Sequence, residues 1–185
     1  MGESFALGVA PVTLPPVVAQ AVAAITLGLL GASGITKLID PEPTTGAMKV
    51  AHLPSSDTLS RLLALVEIAI SVAALVVAGP SILLAAAIYA AFTIFTVVAL
   101  VSRIPLQSCG CFGKEDTPPN AIHVSLNLIA TVALTWVFFA GAGAVDWALP
   151  TLELALYLGF TVIGVYATYL LMTRLPQILE LTRAQ

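Results

Sequence analysis

The chain has 185 residues, of which 59% are hydrophobic and 9% charged. A water-soluble domain carries about a quarter charged residues, so this composition excludes an ordinary soluble fold and points to lipid as the missing solvent. The net charge of −3 says little about partners, and no basic patch or arginine-rich stretch points to nucleic acid, so none is expected as a partner.

The expectation is an all-α integral membrane protein: one membrane domain over residues 1–185, a bundle of about five transmembrane helices embedded in the lipid bilayer. The start, Met1-Gly2-Glu3-Ser4-Phe5, lacks the cationic segment of a secretory signal, so the first long apolar run is expected to stay as a membrane helix. That run spans 17–38 and follows Pro15-Pro16. Ala24, Gly28 and Ala32 recur along one of its faces, a small-residue pattern that lets a neighbouring helix approach closely.

Residues 39–56, with Pro41, Pro43, Gly46 and Pro54, read as an exposed loop. Asp57 or Thr58 is the expected cap of the second helix, 59–78. Gly79-Pro80-Ser81 reverses the chain into a third helix, 82–101. A loop carrying Pro105, Cys109-Gly110-Cys111, Gly113 and Pro118-Pro119 leads to the fourth, 121–140, and a glycine-rich turn to the fifth, 151–172. Trp136, Trp147, Tyr157 and Tyr169 suit the headgroup level. Tyr89, Thr93 and Thr96 on the third helix are expected to pack and to hydrogen-bond backbone.

Every lysine and arginine (Lys37, Lys49, Arg61, Arg103, Lys114, Arg174 and Arg183) falls on one side of a five-helix arrangement. The positive-inside rule makes that side cytoplasmic and puts the N-terminus outside the cell membrane. The same end gathers Lys37, Glu67, His123, Asn127 and both cysteines. Ionisable groups within lipid need a partner or a task. Pairing with Lys37 is one reading of Glu67, an interhelical strut one reading of Asn127, and a satisfied interfacial residue one reading of His123.

Cys109 and Cys111 are the chain's only cysteines. Thiols so placed can close a small, strained and easily reduced disulfide ring. Gly110 supplies backbone freedom, Gly113 lets the loop turn again, and Lys114 would favour the reactive thiolate. A structural staple is a poor purpose, because so short a loop holds little entropy to remove. A zinc site from Cys109, Cys111, His123 and His52 matches no standard ligand spacing, so no metal is expected.

The segment Cys109-Gly110-Cys111-Phe112-Gly113 between two hydrophobic helices resembles that of the MauE methylamine-utilisation membrane proteins, related to DoxX. Ser33-Gly34-Ile35-Thr36-Lys37-Leu38 followed by Asp40-Pro41, the glutamate Glu67 and the asparagine Asn127 fit the same pattern. The resemblance covers about 17–140 and implies a DoxX-like four-helix core associated with making or handling disulfides. It makes Cys109 and Cys111 the redox pair, with Glu67, Lys37 and Asn127 as the framework around it. Where the family commonly has an arginine before this asparagine, the chain has Leu126, so an ion pair with Glu67 must use another cation, such as Lys37. Oxidation of exported proteins calls for outward-facing thiols, whereas the basic residues assign this loop to the cytoplasm. A different function, electrons crossing the membrane, or the reverse topology would each reconcile the two.

Two readings result. In the first, the chain is a thiol-disulfide exchange protein, a thiol-disulfide oxidoreductase, acting on a thioredoxin-like or disulfide-bearing protein. A quinone is a natural second partner, although no residue identifies a cofactor. In the second, it is a non-catalytic accessory subunit of a larger membrane transport complex, held through its small-residue helix faces.

Overall fold

The computed structural model describes residues 16–106, 108–112, 117–176 and 178. They form six helices: α1 (Pro16–Ile39), α2 (Glu42–Val50), α3 (Asp57–Val76), α4 (Pro80–Val101), α5 (Ala121–Phe139) and α6 (Thr151–Thr173). All but α2 are long and apolar enough to cross a membrane. The protein is therefore an all-α, multi-pass membrane protein, with no strand among the described residues.

The spans start and stop where local chemistry allows. The second span begins at Asp57, earlier than expected, because Ser56 and not Asp57 or Thr58 is the cap: its hydroxyl accepts from Leu59 N at 3.1 Å. Gly79 adopts φ +68° and Pro80 opens α4, a position where a missing N–H costs nothing. Asn120 caps α5, accepting from Ile122 N at 2.9 Å.

The segment 39–56 is not simply an exposed loop. It contains α2, nine residues long, in which Thr44 and Ala47 are buried. Pro43 is compatible with this helix because it sits in the first turn, where no intrahelical partner awaits its nitrogen.

Helix α1 is the central stave, packed on α3, α5 and α6. Its approach to α3 runs over Gly31 and Gly34: a Cβ at Gly34 would stand 2.8 Å from Ala64 O. Its approach to α6 runs over Gly28, where a Cβ would meet Val165 Cγ2 at 2.7 Å, and Gly164 of α6 closes on Ile25 in return. Of the three small residues singled out in α1, Gly28 thus receives a helix of the same chain, Ala24 is buried and Ala32 is half-buried.

Side chains also tie helix to helix through backbone carbonyls. Ser71 donates to Leu27 O at 2.7 Å, and Tyr89 to Thr26 O at 2.7 Å. Lipid offers no competing water, so donors within the bundle must find internal acceptors. Thr93 and Thr96 bond back to Tyr89 O and Phe92 O within α4.

The main apolar core, including Leu27, Leu30, Ile82, Tyr89, Leu134 and Val137, joins α1, α4 and α5. Helix α6 is peripheral, with only Met172 and Thr173 buried. Those two lie at its C-terminal end, beside the 102–120 connection.

Candidate functional site

The C-terminal end of α1 brings together most of the polar side chains singled out from sequence. Ser33 and Lys37 are one helical turn apart and therefore share a face. Opposite them, α3 presents Glu67. Lys37 Nζ donates to both Glu67 carboxylate oxygens at 2.8 Å and to Ser33 Oγ at 2.6 Å. The ammonium also stands 4.9 Å from the centre of the Phe92 ring, so an aromatic face on α4 completes its surroundings. Lys37 is 1% and Glu67 0% exposed. A charge that deep is tolerated only with its counter-charge in contact, and Lys37 is the cation that supplies it to Glu67.

Ser33 links this pair to the cysteine loop. Its hydroxyl accepts from Lys37 and donates to Cys111 O at 2.8 Å, with Glu67 Oε2 as a second acceptor within reach at 3.2 Å. Thr36 Oγ1 stands 3.4 Å from the same carbonyl. The backbone of Cys111 is thus held from α1, and α1 is held by the ion pair to α3.

From the opposite side α2 grips the loop. Thr44 Oγ1 donates to Gly110 O at 2.6 Å. Gly110 adopts φ +78°, and a Cβ there would lie 3.0 Å from Thr44 Cα. Both the left-handed backbone and the tight contact require glycine. Within the loop, Cys109 N donates to Thr117 O at 3.0 Å and Gly110 N to Ser108 Oγ at 3.0 Å.

The two cysteines are buried thiols whose Sγ atoms are 3.5 Å apart. They pack in an apolar cluster with Leu29, Phe112 and Met172, against which Leu126, Val165 and Tyr169 lie. Phe112 and Tyr169 meet edge to face at 5.4 Å. Tyr169 therefore closes the thiol site, whereas Trp147 and Tyr157 bond to loop-proximal carbonyls, Leu75 O at 3.2 Å and Ala144 O at 2.6 Å.

His123 and Asn127 face inward from the first turns of α5 and are buried. Asn127 O accepts from Thr131 Oγ1 at 2.9 Å, while its side-chain Nδ2 has no acceptor among the described residues. Asn127 makes no hydrogen bond to the Lys37–Glu67–Ser33 network among the described residues. Gly113 and Lys114, expected to shape the loop and to favour a thiolate, lie outside the described residues. Among the described residues no group of three or more His, Cys, Asp or Glu converges as metal ligands would.

Sequence reasoning missed Ser33 and Thr44 as holders of the loop and α6 as its cover. For Ser33 the spacing from Lys37 was the available signal. For Thr44 and Tyr169 there was none, because their contacts depend on how distant segments dock.

The family model described as Methylamine utilisation protein MauE matches residues 15–140. That interval holds α1 to α5 and the whole thiol loop, and stops short of α6. No curated protein and no solved structure matches the chain.

Proposed function

The chain belongs to the MauE family of membrane proteins, and from that premise we propose that it exchanges thiols and disulfides through Cys109 and Cys111. The observation that carries this reading is the 3.5 Å approach of two buried thiols on a loop that α1 and α2 hold by its backbone. A structural role would not need two thiols brought so close together.

In the exchange, one cysteine attacks a partner disulfide as thiolate, breaking its S–S bond and forming a mixed disulfide. The second cysteine attacks the mixed disulfide, releases the partner as a dithiol and leaves a Cys109–Cys111 bond. The reverse sequence oxidises a partner dithiol. Two electrons and two protons move in either direction. Lys37, Glu67 and Ser33 serve as positioning residues that fix the loop, and the partner is a thioredoxin-like or disulfide-bearing protein. On the charge rule the thiol end is the cytoplasmic end, with the N-terminus outside.

The test is Cys109→Ser and Cys111→Ser in the full chain. Both are expected to abolish exchange with a disulfide-bearing peptide while leaving membrane insertion intact. Retained exchange in either variant would sink the two-thiol mechanism. The alternative, a non-catalytic accessory subunit, expects both variants to behave like the parent.

A further inference from the structure

Near the thiols the bundle carries an open cleft of about 220 Å³ between α1, α4, α5 and α6, walled in part by Leu29, Tyr89, Asn127, Thr168 and Met172. A second, narrower space of about 10 Å³ shares the walls Leu29, Tyr89, Asn127 and Met172, and adds Cys111. The two spaces therefore adjoin, and the smaller lies on the thiol side. Ile129, also in the wall of the larger one, is 57% exposed, so the cavity reaches the outer face of the bundle.

The polar groups in this wall are unequal. The Tyr89 hydroxyl is engaged by Thr26 O, and Thr168 Oγ1 by Gly164 O at 2.8 Å. Asn127 is 2% exposed, and its Nδ2 has no acceptor among the described residues. An unpaired buried donor is destabilising anywhere, and more so where no water can reach it. A donor kept in that state suits an acceptor that comes from outside the chain. The acceptor must itself be apolar enough to arrive through lipid.

We infer that the cavity binds a membrane quinone, which takes the electrons of the Cys109–Cys111 pair; this rests on the exchange reading above. An apolar cavity of about 150 Å³ takes up a benzene ring, so the larger cavity accommodates a substituted one, its tail leaving past Ile129 into the bilayer. A quinone carbonyl accepts hydrogen bonds and donates none, which matches Asn127 Nδ2. The step balances. Two S–H bonds break, one S–S bond forms between Cys109 and Cys111, and two electrons and two protons pass to the quinone, which leaves as the hydroquinone. A partner dithiol then reduces the new disulfide: its first thiolate attacks to form a mixed disulfide, its second resolves that bond, and the partner leaves as a disulfide while the pair returns to two thiols.

The test uses the reduced full-length protein in lipid nanodiscs with decylubiquinone, following quinone absorbance and remaining thiols together. One quinone reduced per protein, with loss of both thiols, is the expected result. Asn127→Leu should raise the quinone concentration that gives half the maximal single-turnover rate (the KM of this assay) about tenfold, as expected for losing one hydrogen bond to a buried group. Thr168→Phe, which fills the cavity from α6, should do the same by a separate route. Exchange with a disulfide peptide is measured on the unsubstituted protein without quinone. Exchange present but no quinone reduced overturns the cavity assignment alone. Quinone reduced at the parent KM by both variants also overturns it. Absent exchange overturns the underlying reading, and the inference with it.

Discussion

Lys37 and Glu67 show what a single charged residue demands in lipid. Each is intolerable alone, and together they hold α1 against α3 with both carboxylate oxygens occupied. Removing one partner leaves the other as an uncompensated buried charge, at a cost of about 3–5 kcal/mol. Lys37→Met and Glu67→Leu are each expected to lower the thermal unfolding midpoint in detergent strongly. The double substitution should recover most of the loss, because it leaves no orphan charge. A double variant as unstable as the singles would show that the pair contributes more than mutual neutralisation. This pairing was readable from sequence, since a buried carboxylate at that depth called for a nearby cation. Ser33 was not readable in the same way. A serine in an apolar helix ordinarily satisfies itself on its own backbone, and only the fold reveals that this one reaches Cys111.

At the scale of elements, the least legible part was α2. Three prolines and a glycine in 41–54 signalled a loop, yet proline breaks a helix only past its first turn. The helix matters because it presents Thr44 to the thiol loop. Thr44→Val removes that hydrogen bond at nearly constant shape, a loss of about 1 kcal/mol. The variant should therefore let the cysteines react with a small maleimide about fivefold faster, by raising the population of the loosened loop. Gly110→Ala should have a larger effect in the same assay, since it adds backbone strain to the steric conflict. The small-residue stripe of α1 was legible as a tendency and not as a partner list. Gly28 meets α6, but the closest approach to α3 uses Gly31 and Gly34, one face further round. Gly34→Val is accordingly expected to destabilise the bundle by about 1–3 kcal/mol through overpacking, measured by detergent unfolding, with Ala32→Val milder.

For the whole molecule, the number of membrane spans followed from composition and run length alone, because lipid imposes a fixed thickness that helices must match. The distribution of charge adds a direction. Lys37, Lys49, Arg61, Arg103 and Arg174 gather at the thiol end, so an impermeant thiol reagent should reach the cysteines only after permeabilisation, whether or not the protein is first reduced. Labelling of intact cells only after reduction would reverse the orientation. The family match ends at residue 140, yet Met172 and Tyr169 of α6 pack on the cysteines. Truncation before Thr151 is therefore expected to leave the protein inserted and its thiols more reactive, as read by maleimide labelling.

The burial of both thiols has a kinetic consequence. Cys109 and Cys111 are 5% and 7% exposed, clasped between α2, α1 and the end of α6. If the pair exchanges with a protein partner as proposed, that partner is far too large to reach sulfur in this arrangement, so each encounter would wait for the clasp to release. At low partner concentration the observed rate rises in proportion to it. At high concentration the rate reaches a plateau equal to the opening rate of the clasp, the same for any partner or reagent. The plateau would belong to the protein and not to its substrate: a timer set by two hydroxyls, one from Ser33 and one from Thr44.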